Sequence, residues 1–170
     1  MHTKTVSHIS YMVIAAIAAI TVFCSCDRLD DNRIPPAPVY VAFPSEAEWR
    51  LYGVTATPDH RSFIKSERKP ANFPYTALSQ TGFGGVLLVA DVHNTPQAFD
   101  LACPVEARQD VRIVVDEDKH DAYCPKCHSR YSIYTNGGTP TSGSALDDGY
   151  GLTRYACTPR TTGEYMVISR

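Results

Sequence analysis

Apolar positions along this chain come in short runs separated by turn-forming residues. Val39 to Phe43 is β-branched and aromatic, and Val86 to Val92 is an apolar run that follows Gly82-Phe83-Gly84-Gly85. Gln97 to Leu101, Val111 to Val115, His120 to Tyr123, Arg130 to Tyr134, Leu152 to Cys157 and Glu164 to Ser169 continue the series. Runs of this length, bounded by Gly, Pro, Asn and Asp, predict strands. One helix start stands out. Ser45 precedes Glu48 by three residues, and Trp49, Leu51 and Tyr52 follow, the pattern of a capping box. Residues 55 to 80 carry Pro58, Pro70 and Pro74 and predict irregular structure, with a second short helical turn near Phe63-Ile64. The sum is an all-β domain, an antiparallel β-sandwich or barrel, with a short, partly helical N-terminal decoration. The glycines at 82, 84 and 85 precede a strand. A phosphate cradle needs a helix there, so they predict a tight bend.

The beginning of the chain follows a different pattern. A weakly basic start (His2, Lys4, His8) leads into an apolar run from Tyr11 to Phe23, too short to span a bilayer but suited to the core of a signal peptide. It ends in Phe23-Cys24-Ser25-Cys26. A small residue directly before a cysteine resembles the lipobox of bacterial lipoproteins, which makes Cys26 the acylated residue and residues 1–25 a cleaved signal peptide. Residues 27–38, DRLDDNRIPPAP, are acidic and proline-bearing without apolar periodicity, and predict an extended linker after the lipidated cysteine. Residues 39–82 then form the decoration and residues 83–170 the main β domain. The resemblance implies a lipid-anchored protein of the bacterial cell envelope, on its periplasmic or outer face, with the bilayer as partner through Cys26.

Composition narrows the chemistry. A net charge of −2 with 16 basic and 18 acidic residues gives no basic stripe and argues against nucleic acid as a partner. His60, His93 and His120 are isolated. Asp116-Glu117-Asp118 and Asp147-Asp148 lack the spacing of a calcium loop. No catalytic constellation is evident, so the sequence gives no reason to expect an enzyme.

The cysteines carry the remaining information. Past Cys24 and Cys26 stand Cys103, Cys124, Cys127 and Cys157, with a dense cluster at Cys124-Pro125-Lys126-Cys127-His128. Four readings are open. Cys-x-x-Cys-His is the attachment signature of c-type haem, with His128 as axial ligand, but the alternating residues after it read as a strand. A thioredoxin-like pair needs a helix after its first cysteine, and none is predicted. Disulfides fit an oxidising compartment. A metal or cluster site is the fourth.

Three blocks bear on that fourth reading: Gly84-Gly85-Val86-Leu87-Leu88-Val89; Ala98-Phe99-Asp100-Leu101-Ala102-Cys103-Pro104; and Cys124-Pro125-Lys126-Cys127-His128-Ser129-Arg130-Tyr131. Gly137-Gly138-Thr139-Pro140, Ser142-Gly143-Ser144-Ala145 and Leu152-Thr153-Arg154-Tyr155 follow. In order and spacing these resemble a Rieske-type iron–sulfur domain from about residue 83 to 157. The resemblance implies that Cys103 and Cys124 occupy the two cysteine-ligand positions, and that Ser129 and Tyr131 occupy positions that hydrogen-bond a bridging sulfide and a ligand sulfur. The ligand set departs from the family's: Val105 stands at the first histidine position, Cys127 at the second, His128 replaces a glycine and Ser144 a covering proline. A Rieske centre carries two histidines on one iron, so the resemblance implies a degenerate site. Cys103, Cys124 and Cys127 are expected to meet there and hold zinc or a 2Fe-2S cluster of altered ligation. Cys157, Glu106 and His128, in that order, are candidates for a fourth ligand. Three functions follow as expectations: an electron-transfer or redox accessory protein with a membrane or periplasmic redox partner; a structural or interaction module that kept the fold, lost the cluster and pinned the loops with a disulfide; and a c-type haem protein.

Overall fold

The computed structural model describes residues 29–159 and 163–170. The expected signal peptide, residues 1–25, and the acylation expected at Cys26 lie outside the described residues. Among the described residues no helix is long and apolar enough to cross a membrane.

The described chain is all-β, with two sheets whose strands pair antiparallel throughout. The larger has seven strands in the order β2-β4-β5-β10-β11-β1-β3. They are β1 Val39–Phe43, β2 His60–Phe63, β3 Gln80–Thr81, β4 Val86–Ala90, β5 Pro96–Asp100, β10 Arg154–Pro159 and β11 Met166–Ser169. The smaller sheet runs β6-β7-β8-β9, from Val114–Asp116, Asp121–Tyr123, Arg130–Ser132 and Thr139–Ser142. Residues 39–82 contribute a helix together with β1, β2 and β3, which share the sheet of the later strands.

The apolar pattern explains where the cores lie. Alternate residues of a strand face opposite sides, and β4 is buried on both. Val86, Leu88 and Ala90 join a core with Phe43, Trp49, Phe63 and Phe73. Leu87 and Val89 join a second core with Phe99, Leu101, Cys103, Cys124 and Tyr131. The first core is closed by α1, Glu46–Tyr52, which buries Trp49. Its N-cap is Ser45, whose Oγ accepts the Glu48 N–H at 3.2 Å, as the capping pattern predicts.

Some expectations move. Phe63 ends β2, and the helical turn expected at Phe63-Ile64 forms one step later, as a 3-10 turn at Lys65–Glu67. The cause is pairing: Phe63 sits opposite Val86 in the sheet. β2 and the start of β3, in the stretch expected to be irregular, together with β9 and a short helix α2, Ser144–Asp148, were not anticipated.

The stretch before β1 lies on the domain. Asp30 N–H donates to Gly149 O at 2.8 Å, Gly151 N–H donates to Asp30 O at 2.9 Å, and Thr153 Oγ1 donates to Asp31 O at 2.6 Å. Ile34 is buried, the Leu29 side chain packs against Gly151, and Arg33 stacks on the Tyr150 ring.

Candidate metal centre

Two loops build the centre. The first leaves β5 and begins at Cys103. The buried carboxylate of Asp100 fixes its base by accepting from the N–H groups of Phe83, Gly84 and Ala102 and from the Tyr155 hydroxyl. A side chain at Gly84 would meet Ala102 N at 2.5 Å, so only glycine lets the Gly82–Gly85 bend seat against this loop. Within the loop, Ala107 has a left-handed φ of 49°, and its N–H donates to Cys103 O at 2.8 Å.

The second loop is the hairpin connection between β7 and β8. Cys124 N–H donates to Ser129 O at 2.9 Å, closing the hairpin. His128, at φ 60°, donates its N–H to Cys124 O at 2.9 Å. A third segment covers both. Gly143 approaches Ser129 so closely that a Cβ there would lie 2.9 Å from Ser129 Cα. Ala145 N–H then donates to Ser129 Oγ at 3.1 Å, with Ser144 Oγ 3.3 Å away.

These loops gather three thiols. The sulfurs of Cys103, Cys124 and Cys127 lie within 4.8 Å of one another, and those of Cys103 and Cys127 are 3.6 Å apart. Cys103 and Cys124 are buried and Cys127 is partly exposed. The Tyr131 hydroxyl lies 3.8 Å from Cys103 Sγ, and Ser129 Oγ lies 3.3 Å from Cys127 Sγ. The structure thus brings together five of the residues singled out in the sequence: Cys103, Cys124, Cys127, Ser129 and Tyr131.

The three candidates for a fourth ligand part company. Cys157 packs against the opposite core, beside the aromatic cluster, and is a half-buried thiol whose pKa the desolvation pushes up to about 12. The spacing that made it a candidate said nothing about which side of the large sheet it faces. His128 is exposed and, on its left-handed backbone, is not part of the sulfur cluster. Glu106 stays beside the site, its carboxylate ion-paired to Lys126 of the other loop. Lys126 was missed in the sequence because it sits 20 positions from Glu106 and meets it only when both loops reach the same end.

Local electrostatics divide the thiols. Burial pushes Cys103 up to about 12, against the lowering effect of the Glu106 N–H. Burial also opposes ionisation of Cys127. Hydrogen bonds from the Ser129 hydroxyl and N–H, and from the Cys103 and Cys124 thiols, outweigh it, so Cys127 lies below the ordinary thiol value. Burial and the neighbouring Cys103 raise Tyr131, which stays a neutral hydrogen-bond donor.

The donor set fits one soft ion. Zinc–sulfur bonds of about 2.3 Å place the corners of a tetrahedron about 3.8 Å apart; the Cys103 and Cys127 sulfurs, 3.6 Å apart, have that spacing, and all three lie within 4.8 Å of one another. A two-iron cluster fits less well: it needs donors on both irons, and Val105 offers none. Covalent haem fits poorly too, because its thioether bonds need both sulfurs turned to one macrocycle and Cys124 is sealed in the core. Comparison with protein-family models, curated proteins and solved structures finds no match to this chain.

Proposed function

We propose that this chain is an envelope lipoprotein, anchored through acylated Cys26, whose Rieske-like domain holds a single metal ion between its two cysteine loops and serves as an electron-transfer or redox accessory module. The observation that carries the reading is the convergence of Cys103, Cys124 and Cys127 from separate loops to within one ion's reach. Bound iron would supply one-electron chemistry in a sulfur-rich site; bound zinc would clamp the loops. The residues contribute the rest. The Tyr131 and Ser129 hydroxyls, 3.8 Å from Cys103 Sγ and 3.3 Å from Cys127 Sγ, would donate to those sulfurs once they are deprotonated, and the Ser144–Ala145 cover limits access of water.

A second reading has its own support. Cys103 and Cys127 are already in sulfur–sulfur contact, so a modest rotation closes a disulfide, and the domain is then a pinned scaffold without metal.

Elemental analysis and a visible spectrum of the protein, purified without oxygen, separate these. Near-stoichiometric iron with charge-transfer colour supports the redox module, and zinc without colour supports the clamp. Absence of metal with two thiols fewer than the reduced protein supports the scaffold. Changing Cys103, Cys124 or Cys127 singly to Ser should lower metal content to similar degrees. Unequal losses, with one cysteine silent, argue against a shared ion.

A further inference from the structure

The two loops repeat one turn. Cys103-Pro104-Val105-Glu106-Ala107 and Cys124-Pro125-Lys126-Cys127-His128 both begin Cys-Pro. Both reach a left-handed fifth residue, Ala107 at φ 49° and His128 at φ 60°, and both close by the N–H of that residue on the carbonyl of the first cysteine, at 2.8 and 2.9 Å. The first and fourth residues of the two turns correspond. In the second loop these are Cys124 and Cys127, both in the sulfur cluster. In the first they are Cys103, in the cluster, and Glu106, whose carboxylate pairs with Lys126 outside the three-sulfur group.

We infer that Glu106 is the fourth ligand of the ion, completing a site of three thiolates and one carboxylate with pseudo-twofold symmetry. This rests on the metal reading above. Glu106 has the matching environment. Its side chain is only 16 % exposed, and its Oε2 is held by Lys126, the third residue of the partner turn, whose own side chain is 54 % exposed. That leaves Oε1 for the metal after a side-chain rotation. A ligating carboxylate oriented by a hydrogen-bonding cation is the usual outer-shell arrangement of a metal site. Each loop then gives the ion two ligands, and the Glu106–Lys126 pair ties the loops outside it. The other two candidates fail on position: Cys157 lies in the opposite core, and His128 is the turn-closing residue.

The test counts sulfurs. Full-length reduced protein is loaded with one equivalent of zinc and read by X-ray absorption, and with cobalt(II) by its visible spectrum, for the native chain, Glu106→Cys and Glu106→Gln. The native protein should show three sulfurs and one oxygen. Glu106→Cys should show four sulfurs, with stronger sulfur-to-cobalt charge transfer. Glu106→Gln should bind zinc at least about tenfold more weakly, since losing an outer-shell partner alone costs that much. Three sulfurs in Glu106→Cys, with native affinity in Glu106→Gln, would assign the fourth position to solvent and overturn the inference while leaving the three-thiol site standing. No uptake of zinc or cobalt by the reduced native chain would instead remove the metal reading itself, and this inference with it.

Discussion

The two cores that flank β4 are held by different forces. On one side Phe43 meets Trp49, Phe63 and Phe73 edge-on at centroid distances of 4.9, 5.7 and 5.6 Å, and Phe73 extends the cluster to Tyr52 and Tyr75. Such pairs add about 0.5–1.5 kcal/mol each beyond the area they bury. On the other side the small sheet has strands of three or four residues, too short to bury much by themselves. To the second core it adds cross-links. Arg130 reaches Asp116 and Asp121 at 2.6 and 2.5 Å, and the sulfur cluster joins its central hairpin to the first loop. The aromatic core is stable through burial, whereas the small sheet depends on groups whose state responds to metal, redox conditions and acid.

The sharpest way to break the aromatic side is Phe43→Ala. The side chain is fully buried against three rings, and its loss should cost about 3–5 kcal/mol in urea unfolding. Zinc affinity of the folded fraction should stay native, because the cysteines lie across β4. A parallel loss of metal binding would mean the two cores are one energetic unit.

Zinc at a hundredfold excess over its dissociation constant should stabilise the reduced protein by about 2.7 kcal/mol. Hydrogen exchange should show the added protection concentrated in β7, β8 and the two loops. Protection spread evenly over β1 and β11 would erase the contrast between the cores.

Arg130→Met should have the smallest effect, a lowered thermal midpoint that depends on pH. The Arg130 guanidinium holds the Asp116 carboxyl below its ordinary value. The stability it contributes is therefore present above the unfolded carboxylate value, near pH 4, and is lost as pH falls through the lowered folded value. Melting curves of the native chain and the variant should converge as the pH drops below about 4. A constant gap from pH 7 to pH 3 would place the loss in packing instead of charge.

How much of this was legible in the sequence depended on the kind of signal. The continuous apolar run at β4 and the β-branched run at β1 announced themselves, since burial on both faces leaves no polar positions to confuse the pattern. β9 did not. Thr139-Pro140-Thr141-Ser142 has no apolar alternation, and its proline is tolerated because the strand is at a sheet edge. α2 is five residues long and starts after Gly143 without a side-chain cap, so no start signal precedes it. At the centre, Cys103, Cys124 and Cys127 could be named because the resemblance of the cysteine blocks to a Rieske-type domain implies that both loops meet at one end. The placement of Cys157 across the large sheet could not, because spacing along a chain does not say which face a strand turns to which core. The repeated Cys-Pro turn was present in the residues all along. Aligning the two loops with each other would have raised Glu106 above Cys157.

The docked segment from Leu29 to Ile34 bears on how the protein stands at a surface. Only two residues, Asp27 and Arg28, separate Leu29 from Cys26, and extended chain covers at most about 10 Å over those three steps. The bilayer anchor proposed at Cys26 would therefore be a short mooring beside Gly149–Gly151, directly after the helix that roofs the cysteine site. With the anchor proposed for Cys26, the domain would have little freedom to swing, and the loops would stay within a narrow zone above the lipid where a large soluble protein has poor access.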